Sequence, residues 1–182
     1  MIKIRSSREI DHMRNAGALL AKAFTQNFDK IAVGAVTKDI DSNFEEIIVN
    51  EGATPAFKGY AGNGSLTFPA TTCISIEEEV VHGIPSERKL ESGTLVGIDA
   101  GLKMNGWYAD MAGSFLIGEV DEVKKRLWRI TREALYIGIN QAREGNVIDD
   151  IGGAIQDFVE AEGFSVIREL VGHGIGSNLH EE

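Results

Sequence analysis

A single cysteine, Cys73, stands in the 182 residues, so neither a disulfide framework nor a zinc site built of cysteines is available. No run of lysine and arginine occurs, and the formal net charge is −10. Binding to nucleic-acid phosphates needs clustered cations, so that class of partner is excluded. No stretch approaches the about 18 apolar residues of a membrane span. The opening MIKIRSSREIDHM also lacks the apolar core of a signal peptide. A cytoplasmic protein without membrane contact is expected. What is present is ordinary for a globular chain: 43% hydrophobic and 25% charged residues, enough to bury a core.

The most informative stretch runs from Gly93 to Phe115, GTLVGIDAGLKMNGWYADMAGSF. Asn105-Gly106 signals a β-hairpin, because both central residues of a type I′ turn need φ > 0. Thr94, Val96 and Ile98 before it, and Trp107 and Tyr108 after it, suit strands. With a two-residue turn, Met104 faces Trp107, Gly101 faces Asp110 and Asp99 faces Ala112. Asp99 and Gly101 are two apart and share a face. Asp99 and Asp110 are then same-face diagonal neighbours, roughly 5–8 Å apart. Two carboxylates that close repel, and a pair of divalent metals is an economical compensation. The alternative is two solvated carboxylates on an exposed sheet face.

Around the hairpin, four helices are expected. Ser6 caps the first, with Glu9 completing a capping box. Its apolar stripe is Ile10, Met13, Gly17, Leu20, Phe24 and Phe28, which leaves His12 solvated. The second covers roughly 39–51, with Ile40, Phe44, Ile47 and Ile48 apolar and Gly52 as its stop. The third covers 122–142, with Val123, Leu127, Ile130, Ala134, Leu135 and Ile137 on one side. Asp149 or Asp150 caps the fourth, which carries Ile151, Ile155, Phe158 and Val159 and stops at Gly163. Residues 53–68, Gly-rich and aromatic, read as a loop. Cys73, Ile74 and Ile76 form a strand core that ends in a turn at His82-Gly83-Ile84-Pro85. Glu77 lies on a solvated loop edge beside Glu78 and Glu79, and 164–171 has strand character.

The two helix pairs repeat. Gly34/Gly145, Val36/Val147, Ile40/Ile151, Phe44/Ile155, Ile48/Val159, Glu51/Glu162 and Gly52/Gly163 all differ by 111 positions. One catalytic domain over 1–182 is expected, with a first pseudo-repeat of about 1–118 and a second of about 119–182. A second hairpin would fall near 205–226, past Glu182. The sequence therefore reads as C-terminally truncated, and a metal site shared between two halves would lack the second half's donors. Weak metal binding without turnover is the expectation for residues 1–182.

Three histidines, His82, His173 and His180, lie in turn or Gly-rich settings. Each alone suits a structural role; with the Asp pair they make a plausible set of metal ligands and proton donors. The series CISIEEEVVHGIP (73–85), Ile98-Asp99, Asp110, GHGIG and LHEE (172–182) resembles the type I methionine aminopeptidases over essentially the whole chain. The resemblance implies the pseudo-two-fold α/β "pita-bread" fold, with an antiparallel sheet and outer helices. It implies two divalent metal ions (cobalt, manganese, iron or zinc) on Asp99, Asp110 and His173. His82 and His180 would contact the scissile peptide and stabilise the tetrahedral intermediate. Tyr60, Phe68 and Cys73 would line the methionine pocket. Two further glutamate ligands, one the general base, are expected beyond residue 182; Glu181 and Glu182 are not these. The implied activity is removal of the initiator methionine from nascent polypeptide N-termini, by a monomer with the ribosome as a candidate partner. An Xaa-Pro peptidase and a non-catalytic peptide-binding protein of the same fold are the alternatives.

Overall fold

The computed structural model describes residues 3–61 and 66–182. Its elements are α1 (Ser7–Asn27), a 3-10 turn (Phe28–Lys30), α2 (Thr37–Asn50), β1 (Thr54–Pro55), β2 (Thr72–Ile76), β3 (Thr94–Met104), β4 (Trp107–Ile117), α3 (Glu122–Gln141) and α4 (Ile148–Ala161). Two compact units result: residues 1–119 with 173–182, and residues 120–172. The last ten residues thus pack with the first unit, although their sequence position groups them with the second pseudo-repeat.

In the first unit the sheet is antiparallel and centred on β3. β4 pairs along the whole of one edge, from Thr94↔Ile117 to Met104↔Trp107. β2 takes the other edge from Val96 to Ala100, and β1 takes it at Leu102 and Lys103. Asn105 (φ 52°) and Gly106 (φ 86°) make the expected turn. That turn fixes Gly101↔Asp110 and Asp99↔Ala112 as the sequence predicts. β3 alternates: Val96, Ile98, Ala100 and Leu102 are fully buried. They pack with Leu20 and Phe24 of α1 and Ile40, Phe44 and Ile48 of α2. The Phe24 and Phe44 rings meet edge to face at 4.9 Å. Leu95, Gly97, Asp99 and Gly101 belong to the opposite face, away from these helices.

Several expectations need correction. The buried stripe of α1 is Ala16, Leu19, Leu20, Ala23, Phe24 and Asn27. Ile10 and Phe28 are exposed and so is Gly17. Small Ala16 and Ala23 let the helix approach closely, and a search for large apolar residues passes over them. His12 is not simply solvated: its ring lies parallel to Trp107, centroids 6.5 Å apart. The 53–68 segment contains β1, while its Gly62–Ser65 portion lies outside the described residues. Glu77 adopts φ 59° and exchanges hydrogen bonds with Leu95: its N–H donates to the Leu95 carbonyl at 3.0 Å and its carboxylate accepts the Leu95 N–H at 2.9 Å.

In the second unit, Asp121 caps α3 by accepting the Lys124 N–H at 2.9 Å. Ile130 and Ala134 pack on Val159, with Ile155, Phe158, Phe164 and Val166 around them. Val123 and Leu135 of the expected stripe are exposed. Neither Asp149 nor Asp150 is the N-cap of α4. Val147 holds that position, and Asp150 reaches back to accept its N–H at 2.7 Å. Residues 164–171 form no strand; Phe164 and Val166 serve the helix pair's core instead. α2 and α4 both span 14 residues, and their ends differ by 111 positions. Among the described residues, no helix is long and apolar enough to cross a membrane.

Candidate metal centre

The pleat and the turn register put Asp99 of β3 and Asp110 of β4 on the face opposite the helices. Asp99 is half-buried, and its carboxyl is raised to about 7. Burial is the leading cause, followed by the Asp110 charge and a hydrogen bond between the two side chains. A raised carboxyl beside a second one is the mark of two acids sharing a proton because both cannot be charged cheaply. Cys73 is the neighbour of Asp99 on β2 and lies on the same face. Its thiol is buried and pushed up to about 12, by desolvation first and then by the charges of Asp99, Asp110 and Asp41. Asp41 accepts both the N–H and the hydroxyl of Thr72 at 2.7 Å, tying the start of β2 to α2.

The 173–182 segment brings two imidazoles to this face. His173 Nε2 lies 3.6 Å from Asp110 Oδ2. Its Nδ1 is 2.9 Å from the Gly174 carbonyl oxygen, which can only accept. Nδ1 therefore carries a proton toward that carbonyl, and Nε2 faces Asp110 of the carboxylate pair. The His173 and His180 rings meet edge to face at 4.4 Å. His180 Nδ1 is 2.9 Å from the Tyr60 hydroxyl, and those rings are 5.4 Å apart. Phe68 joins Tyr60 through the backbone: its N–H donates to the Tyr60 carbonyl, and its carbonyl accepts from Gly59, both at 2.8 Å. Asp99, Asp110, His173, His180, Tyr60, Phe68 and Cys73 are thus linked by register, ring contact or hydrogen bond. His82 is exposed, in a left-handed conformation at φ 59°. Among the described residues no hydrogen bond, ion pair or ring contact joins it to the others. The following Gly83 is locked to β2, its carbonyl accepting from Ile74 at 2.8 Å and its N–H donating to Ser75 Oγ at 3.1 Å.

Among the described residues no three His, Cys, Asp or Glu side chains form a ready-made metal cage. The donor chemistry nevertheless fits a divalent cation. Asp99 and Asp110 crowd where a cation would relieve their repulsion, and Nε2 of His173 points at them. Residues 11–182 match the profile of metallopeptidase family M24. The chain belongs to that family. Methionine aminopeptidase of Clostridium perfringens is 42% identical over 182 residues, which is 100% of this chain and 71% of the relative. The crystal structure of methionine aminopeptidase from Rickettsia prowazekii superposes with a TM-score of 0.95 at 35% identity, covering 100% of this chain and 71% of that one. A prolidase from Pyrococcus furiosus matches at TM-score 0.84 and 23% identity, over 98% of this chain and 50% of that one, a likeness of fold alone. The pita-bread architecture is therefore shared with both groups, and close sequence kinship is with the methionine enzymes. As a family M24 metallopeptidase, the chain is of a hydrolase class that works with divalent metal.

The sequence gives no sign that Arg5, Trp107 and the side chain of Glu181 meet beside the site. Arg5 ion-pairs with Glu181, lies 4.0 Å from Glu9, and stacks over the Trp107 ring at 5.0 Å. Burial by itself would raise the Glu181 carboxyl. Arg5, the Asn178 N–H and the Ser177 hydroxyl outweigh it and hold the group down at about 2. An arginine in the residues before the first capping box carries no signal that it meets a glutamate 176 positions later.

Proposed function

We propose that these residues supply the first-half metal ligands and the substrate-facing histidines of an aminopeptidase that removes the initiator methionine from nascent polypeptides. The observation that carries the reading is the continuous chain Asp99–Asp110–His173–His180–Tyr60 on one sheet face. Asp99, Asp110 and His173 would hold two divalent ions, of cobalt, manganese, iron or zinc. Bound there, divalent metal supplies Lewis acidity and a water of lowered pKa. The chain's own groups do the rest. The Gly174 carbonyl holds the His173 Nδ1–H, so Nε2 is the nitrogen that would ligate a metal. With the Tyr60 hydroxyl donating to His180 Nδ1, the His180 Nε2–H is left to meet negative charge developing on the scissile carbonyl oxygen. His82 is the second imidazole proposed to contact the scissile peptide group. Tyr60, Phe68 and the un-ionised, buried Cys73 form an apolar recess for the methionine side chain. The enzyme acts as a cytoplasmic monomer, with the ribosome as a candidate partner.

Residues 1–182 form one catalytic domain of two pseudo-repeats, and turnover needs two further glutamate ligands. The test compares these residues with a chimera extended by the remaining sequence of the C. perfringens relative. Methionine release from a peptide with a small second residue, with Co(II) or Mn(II), is expected from the chimera. Asp110→Asn, which removes the charge of one proposed ligand, is expected to abolish it. Unchanged turnover by the Asp110→Asn chimera would refute the metal assignment.

A further inference from the structure

The 173–182 segment carries both site imidazoles without a helix or a named strand to hold it. It is closed on itself by one antiparallel bridge. The Gly174 N–H donates to the Glu181 carbonyl at 2.8 Å, and the Glu181 N–H to the Gly174 carbonyl at 2.7 Å. The bridge residues directly follow the two histidines in sequence, so whatever fixes the bridge fixes His173 and His180. Successive residues of an extended segment point to opposite sides. His180 thus turns to the Tyr60 and His173 rings, while Glu181 turns to Arg5. There the Glu181 carboxylate also accepts the Asn178 N–H at 3.1 Å and the Ser177 hydroxyl at 3.2 Å, bracing the turn between the bridge residues. Arg5 stacks over Trp107, the first residue of β4, and the Tyr108 N–H donates to the Gly176 carbonyl at 2.8 Å. The packing is close: a Cβ on Gly176 would lie 2.9 Å from Glu181 Oε2, and one on Gly174 would lie 2.7 Å from the Glu182 carbonyl oxygen.

We propose that Arg5 and Glu181 are positioning residues for the metal centre. Their ion pair, seated on Trp107, pins the 173–182 segment to the hairpin and so aims the His173 and His180 imidazoles at Asp110. The pairing is worth building into the fold because Asp110 and Trp107 lie on the same strand. A clamp at Trp107 therefore sets the distance from His173 to Asp110 through three residues of rigid β4. Arg suits the role better than a point charge, since its planar group can stack on the indole and meet a carboxylate together.

The inference rests on the metal-peptidase reading of this site, so its test has one arm that needs no metal. In long-range 1H–15N spectra of the metal-free 182-residue chain, His173 is expected as a single Nδ1–H tautomer. Arg5→Ala and Glu181→Gln are expected to shift it toward the tautomer mixture of a free imidazole. In Co(II) titrations the same variants should bind about 10–100-fold more weakly, the usual cost of losing a partner that orients a ligand. Arg5→Lys, which keeps a cation but loses the planar group that stacks on Trp107, should recover only part of both losses. Glu181→Gln keeps the volume and the acceptor for Asn178, so it remains readable where Glu181→Ala fails to fold. Folded Arg5→Ala and Glu181→Gln proteins with the wild-type His173 tautomer overturn the proposal, as do Co(II) affinities within about twofold of wild type. Absence of Co(II) binding by the wild type would count against the metal reading, and the tautomer comparison would still decide the clamp.

Discussion

The shared proton of the carboxylate pair makes a quantitative prediction about metal uptake. Asp99 is raised to about 7 by burial and by Asp110, and a cation can enter only as that proton leaves. By simple titration the pair holds about 0.9 of this proton at pH 6 and about 0.1 at pH 8. Calorimetric titration of Co(II) in two buffers of different ionisation enthalpy counts the protons released. At least about 0.9 per binding event is expected at pH 6, since protons from other ligands add to that figure. Competition from this proton alone weakens binding about tenfold between pH 8 and pH 6. The sign for stability is opposite to that of a salt-bridged acid. The folded-state value lies above the unfolded one, so between about 4 and 7 the unfolded chain has lost a proton that the folded chain keeps. The metal-free chain should therefore lose stability as pH rises through that window, and added metal should reverse the loss. Asp110→Asn removes the neighbouring charge and should lower both the proton count and the pH dependence. Fewer than about 0.5 protons released at pH 6, or metal affinity independent of pH, would refute the shared-proton argument.

His180→Ala, in the extended chimera, should lower kcat by about 10²–10³-fold while leaving Co(II) affinity nearly unchanged; loss of metal binding in calorimetry would make His180 a ligand instead. Gly83→Ala puts a Cβ 2.7 Å from the Ile74 carbonyl carbon and 2.9 Å from Ser75 Cα. Those are backbone atoms that cannot swing aside, so thermal melting should show a loss of about 1–3 kcal/mol. Phe44→Ala removes a fully buried ring that meets Phe24 edge to face, and urea unfolding should show about 3–5 kcal/mol lost.

What could be read from the sequence was what short-range chemistry fixes. Asn105-Gly106 demands a left-handed pair, a two-residue turn admits one register, and the register delivers Asp99 and Asp110 to one face. The Ser6–Glu9 capping box was equally local, and all of its hydrogen bonds are present. The misses have the opposite character. Ala16 and Ala23 became core residues because a helix lies flat on β3 and β4, which no residue of α1 announces. β1 is two residues long and exists only because Lys103 and Leu102 offer it an edge. His12 and Arg5 both find Trp107, one by stacking and one over its face, across about a hundred positions of chain. Glu181 has its partner, Arg5, at the far end of the sequence.

The hairpin makes the dependence of the site on the core explicit. Val96, Ile98, Ala100 and Leu102 are buried against α1 and α2, and the residues between them make the site face. A one-residue slip of β4 along β3 would reverse every side chain of β4. It would carry Asp110 toward the helices and bring Ala109 and Met111 to the site. Burying an unpaired carboxylate on the core face, where Ala109 now lies, opposes that register. The same cost is therefore what holds the two acids together on the other face, at the expense of a raised Asp99. Repulsion between the ligands is tolerated because the hydrophobic core, rather than the site, chooses the register. A metal centre built this way does not need the metal to form its hairpin, because the core fixes the register that brings Asp99 and Asp110 together.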